Sequence, residues 1–373
     1  MTNHADKKVV LLSGSLKLSG STTWIINLHR GLRQLGVDVI HIVTNRPGQE
    51  ILPDDLRVFY TGAMDKRLLI KLARAVRLHR LAPACYQALL DRLYNRAVAG
   101  ILAQLGWQDS VDRVIKDFTA YLPPLLARYP LISTIHQKLS LNWHSARLRQ
   151  HASEPAVFIA VSQSAMADAR QLQVPVSQVI YNPIDAGFVS SRATEFEPDE
   201  AGYVVFVGSL NTGKGVYSLL EAMQFLPAHI RLLYVGSGPE EAGLRRRAIS
   251  LGIEGRVRFQ GFVDNPYPYI NNASVLVLPS RSEAMPYVPI EATLLSTPVV
   301  VSDFDGVEEF FEAHGIVNQQ PEGEFPRKLA EAIETVIEKG QPPVVKTGIL
   351  EQMAPTVCAE HFVKVSANRP LTH

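Results

Sequence analysis

The chain has 373 residues, of which 46% are hydrophobic. This length exceeds the usual size of one hydrophobic core, so we expect two domains. The 37 Lys and Arg residues nearly balance the 36 Asp and Glu residues, and the formal net charge of +1 gives no overall reason to expect nucleic acid or an acidic partner. Any basic patch must therefore be local.

The sequence shows no secretory signal and no apolar run of the roughly 18 residues that cross a bilayer. Its two cysteines, Cys85 and Cys358, are far apart in the chain, which favours reduced thiols over a disulfide or a metal site. We therefore expect a cytoplasmic protein.

Strand and helix patterns alternate through the first half of the chain. Residues 8–13 predict a strand and residues 22–35 a helix that Gly36 ends. This alternation predicts a parallel sheet with helices on both faces. The other predicted strands are 38–43, 112–115, 131–135 and 156–161, and the other predicted helices are 86–105, 119–128 and 164–172.

Two places in this half are candidates for ligand contact. The connection over residues 13–21 is rich in Gly and Ser, so its backbone can approach a bound group at a helix N-terminus, although many such loops are only turns. His136 follows a predicted strand directly and so lies at the carboxyl edge of the sheet, where open α/β sheets bind ligands. A single histidine in that position is structural more often than catalytic. Ser162 is expected to cap the next helix.

Residues 66–80 form a basic amphipathic segment with six Lys or Arg residues and no acidic residue. At helical spacing Arg67, Lys71, Arg74 and Arg77 lie toward one side, and apolar residues form the other. An ordinary surface helix explains this pattern. Docking onto an anionic membrane surface explains it too, since each Lys or Arg near such a surface adds about 1 kcal/mol.

A second series of strands and helices follows residues 191–202. These residues are polar and acidic, and their hydrophobic residues show neither the strand nor the helix period. We interpret them as a linker between a first domain (1–190) and a second domain (203–345), with a C-terminal helix (354–366) joined to the first domain. The predicted strands of the second domain are 203–207, 231–235, 257–260, 273–278 and 298–301, and its predicted helices are 216–225, 240–251, 289–295 and 325–338.

The connection over residues 208–215 joins a strand to a helix and contains three glycines and Lys214. It is similar in its physics to a phosphate-binding loop, because flexible backbone and a cation meet at a helix start. The Walker pattern is not met, since Gly215 follows the lysine where Ser or Thr is required.

Glu283 and Glu291 flank another turn from strand to helix. Pro289 suits a first helical position, which would put Glu291 in the opening turn of the helix. The two carboxylates can accept hydrogen bonds from sugar hydroxyls, and the amides between them can hold phosphates, so a sugar nucleotide fits this pattern. Helix capping and surface charge explain two isolated glutamates equally well.

In combination, these motifs resemble those of the retaining nucleotide-sugar glycosyltransferases of the family 4 (group 1) type. Residues 208–215, 234–239, 257–262, the Glu283 and Glu291 pair, and residues 297–300 occur in the family's order. The first half matches more loosely, through Gly20, His136 and residues 161–162 and 182–185. The resemblance implies an α/β GT-B fold, in which two Rossmann-like doubly wound domains face each other across a cleft.

The resemblance also implies roles for individual residues. Lys214 would neutralise the donor diphosphate, Glu291 would accept from the ribose hydroxyls, and Glu283 would accept from the transferred sugar. Gly20 would bring its N–H to the phosphates, and His136 would contact the donor sugar and support its oxocarbenium-like transition state. The predicted catalytic residues are His136, Glu283 and Lys214, and the predicted donor contacts are Gly20, Ser209, Lys214, Ala284, Met285, Pro286, Tyr287 and Glu291.

Three positions depart from the family pattern. Ser209 stands where the family has a basic residue, so one of two expected diphosphate cations is missing, and Arg281 or Lys17 are candidate replacements. Ser21 and Ser296 stand where glycines are common, which affects only local backbone geometry.

These observations predict a transferase that moves a hexose from a nucleotide diphosphate sugar to a hydroxyl of a glycan or glycolipid, with retention of configuration, in lipopolysaccharide, polysaccharide or glycolipid biosynthesis. The donor is expected on the second domain and the acceptor on the first. No metal or other cofactor is expected, because Asp303 and Asp305 have metal-binding spacing but follow a strand of the nucleotide domain. The alternatives are a GT-B epimerase or phosphorylase, and a non-catalytic sugar-nucleotide-binding subunit, which the missing cation at Ser209 makes credible.

Overall fold

The computed structural model describes residues 4, 6–14, 20–44, 56–61, 83–140, 146–312, 315–339, 345–346 and 348–365, and the labels below number the elements of these residues. The chain divides into two compact units: unit 1 comprises Met1–Pro183 with Met353–His373, and unit 2 comprises Ile184–Gln352. The basic segment 66–80 and Lys17 lie outside the described residues.

Unit 1 is built on a seven-stranded sheet in the order β3-β2-β1-β4-β5-β6-β7, with every neighbouring pair parallel. Strands β2 and β3 lie on one side of the central strand β1, and β4 to β7 lie on its other side. The connections after β1 and β4 therefore run to opposite faces of the sheet, which opens a crevice at the carboxyl edge. The strands are β1 (Lys8–Ser13), β2 (Asp38–Val43), β3 (Val58–Tyr60), β4 (Arg113–Asp117), β5 (Leu131–Ile135), β6 (Val157–Ala160) and β7 (Val176–Val179).

Helices cover the unit 1 sheet, and the last of them comes from the end of the chain. That helix, α12, packs against α1 within unit 1. Ser162 caps α4 as predicted, since its Oγ accepts a hydrogen bond from the Ala165 N–H at 3.1 Å. The helices of unit 1 are α1 (Gly20–Gln34), α2 (Pro83–Gln104), α3 (Ala146–Ala152), α4 (Gln163–Gln171) and α12 (Pro355–Lys364).

Unit 2 repeats the same plan with a six-stranded parallel sheet in the order β10-β9-β8-β11-β12-β13. The strand order reverses direction between β8 and β11, so the corresponding crevice lies there. The strands are β8 (Val204–Val207), β9 (Leu232–Val235), β10 (Val257–Gly261), β11 (Val275–Leu278), β12 (Val299–Ser302) and β13 (Ile316–Val317). The helices are α5 (Ala186–Arg192), α6 (Val216–Ala222), α7 (Glu241–Ser250), α8 (Tyr267–Asn271), α9 (Tyr287–Leu294), α10 (Phe325–Lys339) and α11 (Ile349–Gln352).

One predicted helix is absent, and the boundary between the two units differs from the predicted one. The helix predicted over residues 119–128 is a series of turns that ends in a single 3-10 turn, Leu126–Arg128, because Pro123 and Pro124 lack the amide donors that a helix needs. The boundary between the units lies after Pro183 instead of after residue 190. Unit 2 therefore begins with α5, a short helix that was not predicted and that Asp185 caps by accepting from the Phe188 N–H at 3.0 Å.

The contact between α1 and α12 leaves no space for a side chain at Gly31. A Cβ atom built on Gly31 would lie 2.0 Å from the carbonyl oxygen of Pro355. We therefore expect Gly31→Ala to lower the free energy of unfolding of unit 1 by about 1–3 kcal/mol, since the overpacked helices must move apart. Urea denaturation followed by circular dichroism measures this change.

The matched control is Gly100→Ala in α2, because a Cβ there meets nothing within 4 Å. Alanine is the better helix former, so this variant should gain up to about 1 kcal/mol. Equal destabilisation by the two substitutions would show that the α1–α12 contact is not the cause.

Candidate functional site

The loops after β8, β9 and β11 meet at the carboxyl edge of the unit 2 sheet with their backbones in contact. Gly236 has a φ of +136°, and a Cβ built there would lie 2.0 Å from the carbonyl oxygen of Gly208. Gly215 has a φ of +67°, and its Cβ would lie 1.9 Å from the carbonyl oxygen of Pro279. Only glycine fits at these two positions, so the motifs at 208–215 and 234–239 are needed to bring the three loops together.

The most direct side-chain contact at this edge joins Lys214 to Glu283. Lys214 ends a 3-10 turn, Thr212–Lys214, which Asn211 caps by accepting from the Lys214 N–H at 3.2 Å. The Lys214 Nζ donates to Glu283 Oε1 at 2.6 Å. Two residues that the sequence analysis selected for separate roles are therefore an ion pair.

The exposure of this pair fits a binding surface better than a buried structural bridge. The side chain of Lys214 is 32% exposed, and that of Glu283 is 12% exposed. The lysine ammonium has three N–H donors, of which Glu283 takes one here, so the same ammonium can also contact an anionic ligand. The carboxylate likewise keeps acceptor positions for hydroxyl groups.

A buried segment leads from this ion pair into α9. Ala284, Met285, Pro286 and Tyr287 are all buried. The helix begins at Tyr287, and its N-cap residue Pro286 offers no side-chain cap. The N-terminal amides and the dipole of such a helix favour an anion beside them.

The start of α9 corrects the predicted position of Glu291. The helix begins at Tyr287 instead of Pro289, so Glu291 lies in its second turn and not in its opening turn. The side chain is buried, and the Tyr267 hydroxyl donates to Glu291 Oε1 at 3.1 Å. Burial raises the pKa of Glu291 to about 7, against the smaller lowering effect of the Tyr267 hydrogen bond.

The sequence analysis missed Tyr267. It lies on α8, which is too short for a detectable period and contains Pro268. A polar side chain that contacts a buried carboxylate from another helix has no signature in a single sequence.

The departures from the family pattern have distinct structural settings. Ser209 is exposed at the start of its loop, and its carbonyl accepts from the Asn211 N–H at 3.0 Å. Arg281, a candidate replacement cation, forms an exposed ion pair with Glu322. Ser296 has a φ of +60°, in the left-handed region that favours glycine, which gives a physical reason for the expected glycine there.

The described residues contain no group of three or more His, Cys, Asp or Glu side chains that could hold a metal ion. No helix of the described parts of the chain is long and apolar enough to cross a membrane. Asp303 is engaged within unit 2, where its Oδ1 accepts from the Gln319 N–H at 2.9 Å.

Unit 1 carries the other predicted residues at its own carboxyl edge. Gly20 is the first residue of α1, and His136 follows β5 directly. The His136 ring packs edge-on against Trp24 of α1, with ring centroids 4.4 Å apart. Burial lowers the pKa of His136, while the charge of Asp117 and a hydrogen bond with the Asn182 side chain act in the other direction.

This environment holds His136 as a neutral, oriented imidazole. Its Nε2 is buried and makes no hydrogen bond to any residue that the structure describes. Trp24 was not selected from the sequence because it lies on the apolar face of α1 and reads as an ordinary core residue.

Both halves of the chain match known families. Residues 18–188 match the family described as Glycosyltransferase Family 4, and residues 201–339 match the family described as Glycosyl transferases group 1. The chain belongs to these glycosyltransferases.

Two relatives of this chain are named for teichuronic acid biosynthesis and for lipopolysaccharide core biosynthesis. It is 29% identical over 221 residues to the putative teichuronic acid biosynthesis glycosyltransferase TuaC of Bacillus subtilis, a match that covers 56% of this chain and 55% of TuaC. It is 34% identical over 119 residues to the lipopolysaccharide core biosynthesis glycosyltransferase LpsE of Rhizobium meliloti, which covers 32% of this chain and 35% of LpsE. The chain therefore spans about half or less of these two relatives.

A solved structure matches almost the whole glycosyltransferase. Anabaena Alr3699/HepE in complex with UDP-glucose superposes with a TM-score of 0.64 at 21% identity, covering 94% of this chain and 92% of HepE. Together with the two parallel sheets, this likeness identifies the fold as GT-B, as the resemblance implied.

The raised pKa of Glu291 predicts how stability depends on pH. Between pH 4.5 and about 7 the folded protein keeps a proton that the unfolded chain has released, so the free energy of unfolding falls as the pH rises through this window and is level above it. The full loss is about 3 kcal/mol. Glu291→Gln should flatten this decline, as measured by urea denaturation across the window.

The control is Glu331→Gln on the exposed face of α10, which should leave the wild-type decline in place. A decline of full size in Glu291→Gln would assign the pH dependence to another group.

Proposed function

We propose that this glycosyltransferase moves a hexose from a nucleotide diphosphate sugar to a hydroxyl group of a glycan or glycolipid acceptor, with retention of configuration. The observation that carries the proposal is the pairing of Lys214 with Glu283 beside the N-terminus of α9. A cation, a carboxylate and oriented amides are thus adjacent at the carboxyl edge of the unit 2 sheet. This combination suits a ligand that joins hydroxyls to a diphosphate.

In the proposed reaction, the bond between the sugar C1 and the phosphate oxygen breaks, and a bond between C1 and the acceptor oxygen forms. The acceptor proton passes to the leaving phosphate, and a nucleoside diphosphate is released. Lys214 stabilises the negative charge that grows on the phosphate as the bond breaks. No side chain is required as a nucleophile, so the acceptor attacks the face that the phosphate leaves, which retains the configuration.

The carboxylates divide the recognition of the donor between them. Glu283, partly exposed and paired, accepts from hydroxyls of the transferred sugar. Glu291, buried and bonded to Tyr267, accepts from the ribose hydroxyls. The amides of residues 284–287 contact the sugar or the diphosphate, and no metal or other cofactor takes part.

The residues of unit 1 are proposed to act on the same substrates. The N–H of Gly20 contacts phosphate oxygens at the start of α1, where the helix dipole favours negative charge. His136 contacts the donor sugar, through its ring or its backbone carbonyl, and supports the oxocarbenium-like transition state. A neutral imidazole fits this role, because a positively charged ring would repel the developing cation.

The names of the relatives support the nature of the substrates. HepE is described in complex with UDP-glucose, and TuaC and LpsE are named for teichuronic acid and lipopolysaccharide core biosynthesis. We therefore propose a role in lipopolysaccharide, polysaccharide or glycolipid biosynthesis at the cytoplasmic side of the membrane.

Substitution of the ion pair tests the proposal. After a thermal-shift screen of nucleotide hexoses has identified a stabilising donor, Glu283→Gln should lower kcat by about 100-fold or more while leaving donor affinity within a few-fold. Lys214→Ala should lower kcat by a similar factor and weaken donor binding as well. Mass spectrometry of the products and calorimetry of the donor measure both effects.

Arg245→Ala on α7 is the control, since Arg245 forms an exposed ion pair with Glu241 outside the site. Its activity should stay within about twofold of wild type. Normal turnover by Glu283→Gln would exclude the proposed site.

The basic segment 66–80 lies outside the described residues, and we propose that it docks on an anionic membrane surface. Changing Lys71, Arg74 and Arg77 to Glu should abolish cosedimentation with phosphatidylglycerol vesicles, because each reversed charge removes an attraction of about 1 kcal/mol and adds a repulsion. Vesicles of phosphatidylcholine alone are the control. Unchanged binding of the triple variant to anionic vesicles would eliminate membrane docking through this segment.

A further inference from the structure

A cavity of about 370 Å³ opens at the amino edge of the unit 2 sheet. The starts of β9 and β10 line it, together with Tyr203 just before β8. The donor site lies at the carboxyl edge of the same parallel strands, so the length of a four-residue strand, about 13 Å, separates the two places. The volume is within the range of sites for small molecules.

The charges around this cavity cancel one another. Arg231 contacts Glu200 at 2.9 Å, and Arg258 contacts Asp199 at 3.5 Å. The remaining arginine, Arg256, donates to three backbone carbonyls in the loop between α6 and β9. The charged lining consists of Glu197, Asp199, Glu200, Arg231, Arg256 and Arg258, three acids and three bases. A lining without net charge gives little attraction for a phosphate or another ion.

Three aromatic side chains, Phe196, Tyr203 and Tyr269, form part of the apolar wall. Phe196 is 40% exposed, which is unusual for a phenylalanine in a polar segment. Its ring meets that of Tyr269 edge-on, with centroids 5.5 Å apart. The Tyr203 hydroxyl is engaged with the backbone carbonyl of Tyr269 at 3.0 Å.

We propose that this cavity binds a neutral stretch of oligosaccharide, away from the reacting sugars. A pyranose ring has a face of C–H groups that packs on an aromatic ring and a rim of hydroxyls that both donate and accept hydrogen bonds. Phe196 offers the ring. The paired carboxylates and guanidiniums keep unused acceptors and donors for the hydroxyls, since each ion pair here uses only part of their capacity.

Such a site would hold a glycan chain on unit 2 independently of the donor. Binding through two places on one molecule raises the local concentration of the chain at the second place. The inference stands on the cavity alone, so it can fail without affecting the proposed transfer reaction, and the reverse is also true.

The test is saturation-transfer NMR on the full chain with three neutral probes: maltotetraose, cellotetraose and isomaltotetraose. We expect at least one to bind with a millimolar or lower Kd and to receive saturation at its C–H protons. Phe196→Ala should weaken this binding about fivefold or more, because the aromatic face is lost. Phe196→Tyr should keep it.

Phe225→Ala is the matched control, since Phe225 is an equally exposed phenylalanine, 46%, that packs under Arg327 elsewhere on unit 2. It should bind the probe as wild type does. If Phe196→Ala lowers the Tm of the protein, Phe196→Leu is used as the test variant. Leucine keeps the apolar volume of the side chain but removes the aromatic face, so Phe196→Leu should also weaken binding of the probe. Glu283→Gln should leave this binding unchanged.

Four results would overturn the inference. None of the neutral probes binds, or a hyaluronan tetrasaccharide, which is acidic, binds more tightly than all of them. Binding is unchanged in both Phe196→Ala and Phe196→Leu. Binding is lost in Glu283→Gln, which would place the probe in the donor site instead.

Discussion

The candidate site at the carboxyl edge of the unit 2 sheet depends on loops whose backbones lie in direct contact. Gly236 and Gly215 have positive φ values and approach carbonyl oxygens so closely that any side chain would clash. This contact fixes the loop of Lys214 beside the loop of Glu283, and the Arg281 N–H reinforces it by donating to the Gly213 carbonyl at 2.9 Å. The charged groups are therefore held in position before any ligand is present, which lowers the cost of ordering them.

Glu283 in the loop before α9 and Glu291 within α9 have different properties because their surroundings differ. Glu283 pairs with Lys214 and keeps some contact with solvent. Glu291 is buried with one hydroxyl donor, and its pKa rises to about 7. Near neutral pH it both accepts and donates hydrogen bonds, which suits contact with a vicinal diol. One residue type thus supplies an electrostatic contact at one position and a polar, partly protonated contact at the other.

Much of the fold could be predicted, and the misses have physical causes. Buried parallel strands such as β11 and β12 are short apolar runs with clear ends, and they occur where expected. Helix α5 has too few turns to show a period, so its residues were interpreted as the end of the first domain. The turns around Pro123 were misread because apolar spacing was given more weight than the missing amide donors. Tyr267 and Trp24 could not be selected, because their importance comes from contacts between distant parts of the chain.

The sequence by itself determined the alternation of strands and helices, the glycine positions of the loops and the identity of the charged candidates, because these depend on local spacing and on residue chemistry. Only the tertiary structure decided that Lys214 and Glu283 pair, that Glu291 is buried against Tyr267, and that His136 packs on Trp24. Each of these facts depends on a distance between residues far apart in the chain. Burial in turn raises the pKa of Glu291 and lowers that of His136, which composition and spacing do not specify.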